Sequence, residues 1–155
     1  MKKNIKIAFA ASSGGHYEQL MMLKPLMDKY SSFVVTEKTK YDAKSSDVKT
    51  YYLNQVNRKE LLFIPNMVLN LIKSIAIVLK EKPNVVICTG VLAMIPLCLL
   101  CKICGGKLIY IESFAKVTSP TMTGKFLYKY ADQFYVQWKT MKEFYPNAIF
   151  LGGIY

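Results

Sequence analysis

Two short segments carry residue types able to do chemistry. The first is Ser12-Ser13-Gly14-Gly15-His16, set between an apolar run and a helical periodicity. Paired glycines let a backbone approach a ligand closely, and the helix that follows presents free N–H groups and a positive dipole end. In outline this is an anion site, with Ser13, Gly14 and Gly15 as its floor. His16, the chain's one histidine, stands at its edge as a contact or a base. The segment does not match G-x-G-x-x-G. Nor is there a Walker A loop, because Gly124-Lys125 is followed by Phe126. The second segment runs from Glu112 to Lys125. There Glu112 is read either as a base or sugar-hydroxyl acceptor, or as a helix cap and ion-pair partner for Lys116. Ser119, Thr121 and Thr123 offer hydroxyls to a polar ligand or simply initiate a helix. A third loop, Thr89–Leu92, also follows an apolar strand.

Strands and helices must alternate to bring these loops together. Lys3–Ala10, Ser32–Thr36, Val48–Leu53, Asn84–Thr89, Lys107–Ile111, Gln133–Val136 and Ala148–Leu151 read as strands. His16–Lys29 carries Leu20, Leu23 and Met27 at helical spacing, with Pro25 predicted to kink or restart the helix. Glu37–Asp47 is polar and turn-like. Glu60–Lys80 is a long helix closed by Pro83, and Val91–Cys104 is a helix ended by Gly105-Gly106. Gly124–Tyr130 is a short helix and Lys139–Tyr145 a helical turn. The alternation predicts one domain over residues 1–155: α/β, with a doubly wound, mostly parallel, Rossmann-like sheet. Ligands of such sheets bind beyond the carboxyl ends of the strands, where all three loops fall.

Composition bounds the rest. The chain has 155 residues, 52% hydrophobic and 20% charged, which excludes disorder as the dominant state. Its net charge of +11 comes from 21 Lys+Arg, of which Arg58 is the one arginine. Nearly pure lysine disfavours bidentate base readout and suits phosphates or an anionic leaflet. Nucleic acid is therefore not expected as a partner. Cys98, Cys101 and Cys104 have metal-site spacing, but the apolar residues around them favour small buried hydrophobes. Leu61–Leu79 is apolar nearly all round and flanked by Arg58, Lys59, Lys80 and Lys82. It reads as a core helix or as a face resting on an anionic bilayer, not as a membrane span. The Val91–Cys104 segment is too short to span.

Ser13-Gly14-Gly15-His16, Glu112-Ser113-Phe114-Ala115-Lys116-Val117 and Ala131-Asp132-Gln133-Phe134-Tyr135-Val136-Gln137-Trp138 together resemble the PssD/CpsF-like oligosaccharide-biosynthesis family. These are bacterial relatives of the membrane-anchor subunit of the dolichol-linked N-acetylglucosaminyltransferase. The resemblance spans nearly the whole chain, including Leu151-Gly152-Gly153. It implies the amino-terminal half of a glycosyltransferase-B enzyme, in a two-component transferase for capsular or exopolysaccharide synthesis. A separate donor-binding subunit would supply the UDP-sugar site, so no cofactor is expected on this chain and it should be inactive alone. This half would recruit its partner to the cytoplasmic face of the membrane, peripherally, and present a polyprenyl-diphosphate-linked acceptor.

The resemblance also implies roles. Ser13, Gly14, Gly15 and His16 would hold the acceptor diphosphate, and His16 or Glu112 would be the base. Lys116, Ser119 and Thr123 would neutralise or orient the acceptor. Lys116 stands where the family commonly has arginine, and the amino-terminal transmembrane helix of the eukaryotic anchor subunits has no counterpart read here. Two rival readings remain: a non-catalytic membrane scaffold, and a flavodoxin-like nucleotide- or nucleic-acid-binding domain.

Overall fold

The computed structural model describes residues 3–38 and 48–155. Seven strands form one sheet: β1 (Lys3–Ala10), β2 (Tyr30–Glu37), β3 (Thr50–Leu53), β4 (Val85–Cys88), β5 (Lys107–Ile111), β6 (Gln133–Val136) and β7 (Ile149–Phe150). Their spatial order is β3-β2-β1-β4-β5-β6-β7 and every adjacent pair is parallel. The order reverses between β1 and β4, so a crevice opens beyond the carboxyl ends of those two strands.

Both faces of the sheet are covered, which explains why its central strands are apolar without alternation. On one side Ala8, Ala10, Phe33, Val35, Val86 and Tyr110 pack against Leu97 and Cys98. On the other, Ile7, Phe9, Val34 and Ile87 pack against Leu20 and Met27. Cys98 and Cys101 occupy fully buried positions. The Cys98 thiol is pushed well up by a hydrogen bond with Cys88 and by burial. Cys101 is raised to about 11, chiefly by burial.

The first helical segment is divided. α1 (Gly15–Met21) ends, and α2 (Lys24–Lys29) restarts with Pro25 in its first turn, where a missing N–H costs nothing. β2 extends to Glu37, which is buried rather than part of a polar turn; residues 39–47 of that expected turn lie outside the described residues. α3 (Phe63–Glu81) starts three residues later than expected, after turns at 57–62, and closes on Lys82 in the left-handed region. A 3₁₀ turn, Leu92–Met94, precedes α4 (Ile95–Ile103). α5 (Met122–Leu127) starts two residues early because the Thr121 hydroxyl caps it, accepting from Gly124 N–H. A second 3₁₀ turn, Lys139–Glu143, leads to β7.

The polarity of α3 is inverted. Asn70, Ser74 and Glu81 lie on its buried side, while Ile64, Val68, Leu71, Ile72, Ile75 and Leu79 are exposed. Asn70 is fully buried because it clamps the chain after β3: its Oδ1 accepts Asn54 N–H at 2.7 Å and its Nδ2 donates to Asn54 O at 2.8 Å. At the opposite end Glu81 accepts from Lys6 at 2.8 Å, from Lys49 and from the Tyr51 hydroxyl. Burial raises this carboxyl, but the three donors together outweigh it and hold it near 2. α3 is thus pinned by polar groups and leaves its apolar side outward, so the core-helix expectation holds for only one face of it.

Candidate functional site

The carboxyl ends of β1 and β4 are tied across the switch point by His16. Its Nδ1 donates to the Thr89 carbonyl at 2.8 Å, and the Thr89 hydroxyl donates back to the His16 carbonyl at 2.9 Å. A carbonyl only accepts, so in the neutral ring the proton sits on Nδ1 and Nε2 keeps a lone pair. The imidazole lies over Gly90, where an added Cβ would meet the ring at 2.9 Å. Gly90 also adopts a φ of 138°. The next residue, Val91, has a φ of 76°, a costly conformation for a β-branched side chain. Strained backbone is therefore held directly beneath the histidine.

The glycine bend before His16 is open. Gly14 has a φ of 76°, and neither Gly14 nor Gly15 would meet another heavy atom within 4 Å if it carried a Cβ. Gly14 O starts α1 by accepting from Glu18 N–H at 3.0 Å. Ser13 is half-buried beside the bend. No side chain among the described residues comes within 4 Å of those positions.

Glu112 takes a different place. It follows β5, is fully buried, and both carboxylate oxygens are engaged. Oε1 accepts from Ser113 N–H at 2.9 Å and from the Thr121 hydroxyl at 2.8 Å. Oε2 accepts from Thr121 N–H at 3.1 Å and from the Tyr145 hydroxyl at 2.8 Å. Burial and the adjacent carboxylate push the Tyr145 phenol far up, so it stays a donor. Gly124 makes room: a Cβ there would collide with Glu112 Oε2 and lie 2.7 Å from the Tyr145 hydroxyl. The carboxylate closes the loop between β5 and α5 on itself. It makes no ion pair with Lys116, and its oxygens do not point at the bend, so this geometry offers a positioning group rather than a base.

The other expected residues divide. Lys116 is half-buried and Ser119 exposed on the loop after Glu112, with surface left for a ligand. Thr123 is enclosed in the first turn of α5, so its hydroxyl is not presented to solvent, contrary to the expected orienting role. Sequence reasoning assigned no role to Gln19, Gln137 and Trp138. Gln137 donates to the Glu112 carbonyl at 2.9 Å, Phe114 N–H donates to Gln19 Oε1 at 3.2 Å, and the Trp138 indole donates to Phe114 O at 2.7 Å. The second and third segments that carry the family resemblance are therefore stitched to each other, and α1, which follows the first, is tied to the second through Gln19. A buried glutamine one turn into α1 was the available signal for Gln19; nothing in the sequence pointed to Tyr145.

The sequence profile described as "Oligosaccharide biosynthesis protein Alg14 like" matches residues 36–154. The chain belongs to the Alg14-like oligosaccharide biosynthesis family. Its relatives include "UDP-N-acetylglucosamine transferase subunit ALG14" of Mus musculus, 28% identical over 183 residues and covering 99% of this chain and 84% of the relative. The Yarrowia lipolytica subunit of that name is 30% identical, covering 96% of this chain and 81% of its own. Both alignments extend over the amino-terminal bend that the profile leaves out. Among solved structures, Acinetobacter baumannii MurG superposes with a TM-score of 0.72 at 14% identity, over 88% of this chain and 42% of MurG. A lipopolysaccharide outer core galactosyltransferase, WaaB, superposes with a TM-score of 0.63 at 15% identity, over 90% of this chain and 41% of WaaB. The Alg14-like fold is thus that of a glycosyltransferase-B amino-terminal domain, and this chain spans under half of those two-domain enzymes.

Proposed function

We propose that this chain is the acceptor-side subunit of a two-component transferase of UDP-N-acetylglucosamine or a related UDP-sugar. It binds a polyprenyl-diphosphate-linked acceptor at the cytoplasmic face of the membrane, in capsular or exopolysaccharide assembly. The observation that carries this reading is the open Gly14-Gly15 bend beside His16, at the switch point of a fold that amounts to half a glycosyltransferase. The bend offers backbone N–H groups to a diphosphate, and His16, the next residue, keeps a lone pair on Nε2 beside Gly90. In an inverting displacement the acceptor hydroxyl attacks the anomeric carbon, the UDP leaves, and Nε2 takes the hydroxyl proton. Glu112 holds the loop that carries Lys116 and Ser119 toward the acceptor. The partner subunit brings the donor, and this chain alone transfers nothing.

The exposed apolar side of α3, with Arg58, Lys59, Lys80 and Lys82 at its ends, supports peripheral seating on an anionic leaflet. α3 has the length and hydropathy of a span. Yet Asn70 and Glu81 bind it to the sheet, which favours lying on the bilayer over crossing it.

Hydrogen exchange tests the site. A polyprenyl-diphosphate acceptor should protect residues 12–16 and 89–91, whereas UDP-N-acetylglucosamine should not. Protection by the nucleotide-sugar alone would reverse the assignment of halves. The scaffold reading has one observation in its favour: the Glu112 carboxylate is wholly occupied. It predicts full activity of a complex containing His16→Ala.

A further inference from the structure

We infer that the cleft between α3 and α4 receives the isoprenoid chain of the acceptor, as a defined slot distinct from the membrane surface around it. This deepens the proposed function and rests on its acceptor reading. The cleft has a volume of about 480 Å³ and every side chain lining it is apolar. Ile64, Val68 and Leu71 of α3 form one wall, and Ile95, Leu99 and Ile103 of α4 the other. Each wall repeats at three or four residues, so each is one stripe along its helix.

Three relationships identify the occupant. First, the walls are exposed where a soluble helix would bury them: Ile64 is 70% and Ile103 79% exposed. Beside the cleft, the buried side of α3 holds Asn70 and Ser74, and its buried apolar residues, Ile77 and Val78, lie further along the helix. Second, the mouth adjoins the candidate diphosphate site. α4 follows β4, one of the two strands at the switch point, whereas α3 follows β3 at the far edge of the sheet and reaches the cleft by packing beside α4. Gly90, under the His16 ring, is joined to Ile95 by five residues, which reach at most ~18 Å. A diphosphate at the bend therefore leaves its chain within reach of Ile95 and Ile64. Third, Arg58 and Lys59 lie in the turn that precedes α3, a few residues from Ile64, and supply cationic charge suited to the anionic end of such a lipid, while no residue lining the cleft is charged. A free acyl chain needs no phosphate site at one end of its slot; an isoprenoid diphosphate does.

The test uses the assembled two-subunit complex in detergent micelles, with no bilayer, and acceptors bearing one, two, four or more isoprene units. The wild-type KM should fall at least tenfold as the chain lengthens, then level off once the cleft is filled. Leu71→Trp and Leu99→Trp narrow the cleft and should erase that fall, so that KM no longer changes with chain length. Ile72→Ser, on the outer side of α3, should keep it. A KM indifferent to chain length overturns the proposal, as do tryptophan variants that lose vesicle retention but keep the long-chain preference. A benzophenone-tagged isoprenoid diphosphate gives a readout without transfer: its cross-links should map to 63–71 and 95–103. Cross-links elsewhere, with His16→Ala still abolishing transfer, remove the slot and leave the site. Cross-links in the cleft, with His16→Ala fully active, remove the diphosphate assignment instead.

Discussion

His16 Nδ1 donates to the carbonyl of Thr89 at 2.8 Å, and that single contact joins the first loop of the sheet to the fourth strand across 73 residues of chain. It fixes the ring, leaves the lone pair on Nε2, and needs Gly90 beneath it. The account makes this nitrogen the proton acceptor. His16→Ala in the complex should lower turnover ~10²-fold or more, and His16→Gln no less. Steady-state transfer to a lipid-linked acceptor reads it, with donor KM unchanged because the donor binds elsewhere.

Glu112→Gln should act on stability more than on chemistry. An amide in place of the carboxylate sets its NH2 against one of the two backbone donors, Ser113 N–H or Thr121 N–H, leaving a pair of buried donors opposed. A loss of about 1–3 kcal/mol in denaturant unfolding is expected, with Tyr145→Phe showing a smaller loss of the same kind. Turnover per folded complex should stay within about tenfold of wild type. A hundredfold fall without destabilisation would restore Glu112 as the base.

Gly124→Ala should be worse than a glycine-to-alanine change in an exposed helix, where alanine is favoured. Its methyl group would overlap the Glu112 carboxylate and press on Tyr145. Overpacking of this kind costs about 1–3 kcal/mol, and thermal melting should show it as a fall where helix propensity alone predicts a rise.

Glu81 makes stability depend on pH. Its folded value, near 2, lies below the ordinary 4.5. The contribution is therefore fully present above about 4.5 and is lost as pH falls toward 2. It amounts to roughly 2 kcal/mol at neutral pH after allowing for its exposed lysine partners. Unfolding of wild type and Glu81→Gln should differ at pH 7 and converge near pH 2.

Vesicle binding should be part electrostatic and part apolar. Raising the salt should release a fraction of the protein from anionic vesicles as lysine attraction is screened. Ile72→Glu should release more without lowering the melting temperature, since Ile72 is 58% exposed. Co-sedimentation measures both.

Most of the fold was legible because apolar runs in β1, β4 and β5 alternate with helical stretches, and the strand ends therefore named the loops. The bend at Ser13–His16 was legible for the same reason. The restart at Pro25 was legible as well, whereas the start of α5 moved because one side chain, the Thr121 cap, decides it. The buried polar side of α3 was hidden because Asn70 looks like an interruption of an apolar run until Asn54 is seen to require it. Glu112 was placed correctly at the end of β5 but with the wrong surroundings. Its partner Tyr145 lies 33 residues further on, with no local signal joining them.

The most direct measurement is transfer of labelled N-acetylglucosamine from its UDP donor to a polyprenyl-diphosphate acceptor by three preparations: this chain alone, the complex with its donor-binding partner, and the complex carrying His16→Ala. Transfer by the intact complex only is the predicted result. Transfer by the isolated chain, or undiminished transfer by the His16→Ala complex, would contradict it.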